Sequence, residues 1–300
     1  MPTETNRSPR ILANIIKRMK DEDEPLRALI DEYLMKRLEA RERYDGHAID
    51  MQERPRPNGR LSPSSLYHCQ RQAVMKFAGV KGRRRIDPDQ ELLFEDGNWR
   101  HHKWQFLFYD MELVLGRDRF QVVSIEQFVV IPQLYVAGSL DAEIRIFHKD
   151  KWRTYIVDFK GVNDRGFRWI TQTDEGKEEN IRQVQAYMKA RKKKRGILLY
   201  DNKNDNKPLT YTVDFSGQLW DETVAWIEQV LNLLEDKRMP PKSAKCRPGT
   251  MMYDGCPFRR VCWRSDRVDL QKLTFGKKSG WQGIDEAWSR GLAIYGQEFL

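Results

Sequence analysis

Trp152-Arg153-Thr154-Tyr155-Ile156-Val157-Asp158-Phe159-Lys160-Gly161 is the stretch on which the reading of this chain turns. Its β-branched and aromatic residues predict a strand over 152–160. Side chains alternate faces along a strand, so Asp158 and Lys160 point one way while Val157 and Phe159 point the other. A carboxylate and an ammonium then share one face of an apolar strand, which is costly to bury unless a cation, a phosphate or both complete the site. Seventeen residues before Asp158, Gly138-Ser139-Leu140-Asp141 sets a lone acidic residue in the middle of the preceding apolar strand. The bland alternative is an exposed Asp-Lys ion pair, which is common on surfaces. The apolar run before Gly138, and Gly161 directly after Lys160, where close approach of a backbone is tolerated, argue against it.

Outward from this pair, alternation and helical spacing predict further strands near 120–131, 135–147, 196–200 and 209–215. Helices are predicted over 96–115, 177–194 and 221–237, with another beginning at Ser62-Pro63 and containing Cys69. Residues 1–60 read as a helical appendage: Ser8-Pro9 opens one helix, and a second, from about Pro25, carries Leu26, Leu29, Ile30, Tyr33 and Leu34 on one face. The polar, proline-rich 52–59 reads as its linker. The domain assignment is therefore an appendage over 1–60, an α/β domain over 61–270 and a tail over 271–300.

The chain has 300 residues, of which 40% are hydrophobic, enough for a substantial core. Lys and Arg outnumber Asp and Glu by 53 to 44, a net +9 that favours a polyanionic partner. Nine Trp residues are either core or base-stacking surfaces. Met1-Pro2-Thr3-Glu4 has no apolar signal region, and Phe128-Val129-Val130-Ile131 is far too short to span a bilayer, so the expectation is a soluble, cytoplasmic protein. Four Cys in so long a chain exclude a disulfide scaffold.

The chemistry that fits the acidic pair is metal-assisted hydrolysis of a phosphodiester. Asp141 and Asp158 are hard oxygen ligands suited to Mg²⁺ or Mn²⁺, and the Phe159 carbonyl can complete the shell. Lys160 would orient or deprotonate the attacking water. His101, on the helix before the strands, is a candidate third ligand, with His102 competing from about 100° further round. Gln183 and Tyr187, four apart on one helix face, either present an amide and a phenol to a nucleic-acid backbone or simply pack that helix. The run Arg191-Lys192-Lys193-Lys194-Arg195 either contacts phosphates or complements a helix carboxyl end. Cys69, and Cys246, Cys256 and Cys262 in cation-flanked loops, suit a tetrahedral Zn²⁺, an iron–sulfur cluster or plain burial.

Six ordered segments together resemble the RecB-like, iron–sulfur branch of the PD-(D/E)XK nucleases, which includes CRISPR-associated RecB-like exonucleases and the AddB nuclease domain. They are Leu61-Ser62-Pro63-Ser64-Ser65-Leu66 with Cys69, Gly97 to His101, Gly138 to Asp141, Asp158-Phe159-Lys160, Gln183 to Tyr187, and Cys256 to Cys262. The resemblance spans 61–263 and implies a core with a central mixed β-sheet flanked by helices. It also implies His101, Asp141 and Asp158 as metal ligands, Lys160 as the catalytic lysine, and Gln183 and Tyr187 on the substrate side. A [4Fe-4S] cluster on Cys69, Cys246, Cys256 and Cys262 follows from it. Two departures stand out: Asp158 where Glu is common, and nine residues between Cys246 and Cys256 where two are usual. The activity so implied is exonucleolytic cleavage of single-stranded DNA ends in recombination, repair or phage DNA processing. The alternatives are a structure-selective endonuclease and a DNA-binding subunit with a vestigial site. No helicase motif is visible, so unwinding would fall to a helicase or recombination partner.

Overall fold

Residues 59–82, 88–173, 176–263 and 269–293 are described in this computed structural model, so the appendage expected over 1–60 lies outside the described residues but for its last two positions. The chain divides into two compact units, Met1–Pro55 with Ile86–Phe94, and Arg56–Arg85 with Glu95–Leu300. Of the first, only 88–94 are described, as the opening turns of a helix; the second carries all that follows.

Its elements run α1 (Gln70–Phe77), α2 (Pro88–Leu115), β1 (Phe120–Ile131), β2 (Val136–His148), β3 (Lys151–Val162), α3 (Asp164–Thr173), α4 (Glu178–Ala190), β4 (Arg195–Asn202), β5 (Pro208–Asp214) and α5 (Gly217–Glu235). Four short helices close the chain: α6 (Met251–Asp254), α7 (Arg259–Cys262), α8 (Leu270–Phe275) and α9 (Ile284–Ala293). Among the described residues the strands form one five-stranded sheet in the order β1-β2-β3-β4-β5. Only β3 and β4 pair in parallel, the rest being antiparallel. A parallel step needs a long crossover, and α3 with α4 supplies it. The result is the expected mixed, helix-flanked α/β sheet.

Each face of the sheet buries its own cluster. Ala142, Ile144, Tyr155, Val157, Phe159 and Leu199 pack with Phe108 of α2 on one side. Leu140, Ile156, Leu198 and Tyr200 pack with Val184, Tyr187 and Met188 of α4 on the other. Helix α4 starts where it does because Tyr200 caps it from the sheet: its hydroxyl accepts from the Lys177 amide at 3.0 Å and the Asn180 side chain at 3.1 Å. Glu178 and Glu179 in the first turn and Lys189 in the last complement the helix dipole. Helix α5 is capped by Ser216 and begins four residues before its predicted start.

Three expectations change. Cys69 is not inside a helix: a 3₁₀ turn, Pro63–Ser65, comes first, and Cys69 is the N-cap of α1. Helix α3 went unpredicted. The tail expected over 271–300 contributes α9 and most of α8, with Ala287 buried in the cluster that joins α5 to α1 and the Tyr135 hydroxyl bonded to Asp285 at 2.6 Å.

Candidate active site

The β2–β3 ladder runs from His148↔Lys151 to Ala142↔Val157. One residue further, the Asp141 carboxylate takes the Phe159 amide at 2.6 Å. The strands thus open where the two aspartates lie. Asp158 is 0% exposed, with the Lys160 ammonium 2.9 and 2.8 Å from its two oxygens. Sheet alternation does what the sequence predicts, since Phe159 enters the α2-side core while its neighbours share the opposite face.

Helix α2 brings two side chains to the same spot, one turn apart. His101 Nδ1 lies 3.5 Å from Asp141 and 3.9 Å from Glu126. Gln105 donates to Glu126 at 2.7 Å and so fixes its carboxylate. His102 instead packs edge-on against Trp99, 5.8 Å between ring centroids, which resolves the competition between the two histidines. Glu126 was missed in the sequence. It holds a left-handed backbone, φ +49°, in the middle of β1. A non-glycine residue pays about 1 kcal/mol or more for that conformation, so the surrounding pairs Ile125↔Ala142 and Gln127↔Leu140 must impose it.

Ligand atoms of His101, Glu126 and Asp141 all lie within 4.8 Å of one another, the one such three-residue group among the described residues. Asp158, expected as a ligand, has the Lys160 ammonium against both of its oxygens. The electrostatics fit a site short of positive charge. Burial pushes Asp141 up to about 6, Asp158 adding to the rise and His101 opposing it. Burial would lower His101, yet Asp141 and Glu126 outweigh it and raise its pKa. Lys160 is likewise raised, because Asp158 and Asp141 overcome its desolvation. Three carboxylates face one lysine, and a hard divalent cation would complete the balance.

Gln183 and Tyr187 do sit together, but they face inward. Both are buried, Gln183 points its amide at the Tyr187 hydroxyl at 3.4 Å, and that hydroxyl donates to the Ser139 carbonyl at 2.6 Å. Gly138 instead makes room for Pro63: a β-carbon there would lie 2.7 Å from Pro63, while the Tyr187 hydroxyl at 3.6 Å would be in ordinary contact. The room at Gly161 goes to side chains rather than to a backbone, with Arg100 and Lys203 each 3.1 Å from where a β-carbon would stand. Much of the basic run is structural, since Arg191 and Lys193 each pair at 2.9 Å with the buried Glu143 of β2.

The four cysteines, all free, line one small cavity with Arg71, Met75 and Trp263. The cations expected to stabilise thiolates face solvent, and burial prevails: it raises Cys69 and pushes Cys256 up to about 11. Four thiols are a suitable donor set, but their spacing does not match a tetrahedral zinc. Tetrahedral zinc with Zn–S near 2.3 Å needs sulfurs about 3.8 Å apart, and these thiols form no group within 4.8 Å.

No helix among the described residues is long and apolar enough to cross a membrane. No protein-family model matches the chain, and no curated protein is significantly similar to it. Among solved structures, an alkaline exonuclease (LHK-Exo) from Laribacter hongkongensis is similar at 13% identity and a TM-score of 0.43, over 60% of this chain and 89% of its own. Its complex with dAMP is similar over the same shares at 14% identity and a TM-score of 0.38. A protein designated SSO0001 is similar at 14% identity and a TM-score of 0.38, over 67% of this chain and 83% of its own.

Proposed function

We propose that this chain is a metal-dependent deoxyribonuclease, an exonuclease acting on single-stranded DNA ends in recombination, repair or phage DNA processing. One observation carries the reading: His101, Glu126 and Asp141 bring their ligand atoms together beside the buried Asp158–Lys160 pair. Carboxylates with a single imidazole suit Mg²⁺ or Mn²⁺. Such an ion, when bound, polarises the scissile phosphoryl group and acidifies a water. His101, Glu126 and Asp141 would hold it, with Asp158 and the Phe159 carbonyl further oxygens on the adjoining strand.

The remaining work falls to the chain's own groups. Lys160, its ammonium held against both oxygens of Asp158, orients the attacking water and offsets phosphate charge. Asp158 fixes that ammonium in place. As the water oxygen bonds to phosphorus it gives up a proton to solvent, the bond to the leaving sugar oxygen breaks, and solvent supplies a proton to that oxygen. Gln183 and Tyr187 act through the Ser139 carbonyl, holding the β2 backbone two residues before Asp141. The same reading assigns a [4Fe-4S] cluster to Cys69, Cys246, Cys256 and Cys262.

End-labelled linear and circular DNA, single- and double-stranded, incubated with Mn²⁺ tests the proposal. Linear single strands should be digested and excess chelator should stop it. Lys160→Gln, which keeps a hydrogen-bond donor but loses the charge, should slow cleavage by about 10² to 10⁴ with little change in DNA affinity. Undiminished digestion in excess chelator overturns the reading.

A further inference from the structure

Helix α3 follows directly on the strand that carries Lys160, and its two sides have opposite chemistry. Ile170 is fully buried in the core beneath α4, Phe167 packs partly beside it, and the Tyr211 hydroxyl donates to the Ile170 carbonyl at 3.2 Å. The other side, at i, i+3, i+4 and i+7, is Arg165, Arg168, Trp169 and Gln172, all exposed. Trp169 is 47% exposed. Among the described residues it meets no other ring and no cation, whereas the other exposed tryptophan, Trp99, meets His102 edge-on. Arg165 makes no ion pair among the described residues, and Arg168 pairs only with its own helix, with Asp164 at 2.7 Å.

The helix is held firmly at its start. Asn163 accepts from the Gly166 amide at 2.8 Å, and Asn204, from the turn after β4, accepts from the Asp164 amide at 3.0 Å. Three residues separate Lys160 from Asp164, and five helical residues more reach Trp169, so the start of the indole side chain is anchored within about 20 Å of Lys160.

We propose that this face binds single-stranded DNA: Trp169 stacks on an unpaired base of the strand that runs to the active site, and Arg165 and Arg168 contact its phosphates. The inference rests on the nuclease reading and names how that site recognises its substrate. An exposed indole flanked by cations suits unpaired bases, because stacking on a free base face is sequence-tolerant and a duplex hides those faces. Charge complementarity favours a nucleic acid over an apolar partner, since the indole is the lone large apolar group on this side.

The test is fluorescence anisotropy of the full chain with a labelled oligothymidylate in chelator, together with cleavage kinetics in Mn²⁺. Trp169→Ala should weaken binding about 5- to 100-fold, Trp169→Phe should restore most of it, and affinity for a blunt duplex should be unchanged. Arg165→Gln should flatten the plot of log affinity against log salt by about 0.7. In cleavage, Trp169→Ala should raise KM and leave kcat alone. If the wild type digests DNA while Trp169→Ala binds single strands as tightly as wild type, the stacking face is wrong and the nuclease stands. If the wild type cuts no DNA yet binding still depends on Trp169, the nuclease reading is wrong and the binding face stands.

Discussion

Asp141 meets two opposed demands. Its carboxylate accepts the Phe159 amide, which favours the ionised form, but it is buried beside Asp158 and Glu126, which favours the protonated one. The second wins, and the pKa rises from 3.8 to about 6. A proton held more tightly in the folded state stabilises the fold fully below pH 3.8, and that contribution is lost as pH rises through about 6. The metal-free protein should therefore carry a strained carboxylate at pH 8. Asp141→Asn, neutral throughout, should be more stable than wild type in chelator at pH 8 by roughly 3 kcal/mol, and the gap should narrow at pH 5. Urea unfolding of both proteins at the two pH values measures this. Mn²⁺ should stabilise the wild type and leave the Asn variant unmoved, and metal affinity should climb with pH as His101 and Asp141 give up protons. An Asn variant no more stable than wild type at pH 8 would show that burial of this carboxylate costs nothing.

At the scale of elements, the aim of His101 depends on how α2 is held. Arg100 and Lys103, flanking His101 on the helix, both reach Asp201 at the end of β4, at 2.9 and 2.7 Å, and Asp201 is 1% exposed. Asp96 and Lys203 extend the same network. Asp201→Asn removes the buried charge that two cations share, and breaking such a network costs about 3–5 kcal/mol. Thermal unfolding should show that loss, and half-saturation by Mn²⁺ should move to higher concentration because His101 and Gln105 lose their bearing on Glu126 and Asp141. An unchanged melting temperature would remove Asp201 from this role. The hairpin was more legible than the site. Strands predicted over 120–131 and 135–147 foretell the hairpin, but pairing their ends would set Glu126 opposite Leu140; the observed register, Ile131↔Val136 with Ile125↔Ala142 and Gln127↔Leu140, is one residue further on because Tyr135 stays in the turn. The lone Glu in an apolar strand was the same signal that marked Asp141. Gln183 and Tyr187 could not be resolved that way, because spacing gives a face and only packing tells whether it looks inward. Helix α3 escaped because Arg165, Arg168 and Gln172 outweigh Phe167 and Ile170 in so short a segment, and its amphipathic pattern spans less than three turns.

Across the described part of the molecule, the cysteine segment is held by a much smaller core than the sheet. Residues 246–262 meet α1 mainly through one small cluster, in which only Met75, Phe258 and Cys262 are fully buried. The sheet clusters by contrast bury eight and ten residues. Three buried side chains contribute roughly 5–9 kcal/mol before the entropy of ordering so long a loop is subtracted, which leaves little. Four thiols converging there, with Cys69 177 residues before Cys246, would close that loop through a metal and supply the missing stability. Protein purified without oxygen should then be brown, and Cys256→Ser should be colourless. The Ser variant should also be cut by trypsin within 242–260, where Lys242, Lys245, Arg259 and Arg260 are exposed, long before the sheet is attacked. Mass spectrometry of early fragments places the cuts, and a visible spectrum with iron and zinc analysis identifies the metal. Colourless wild type with stoichiometric zinc would replace the cluster by a zinc site. Equal resistance to trypsin in wild type and variant would mean that the segment needs no metal and that the four thiols are plain core.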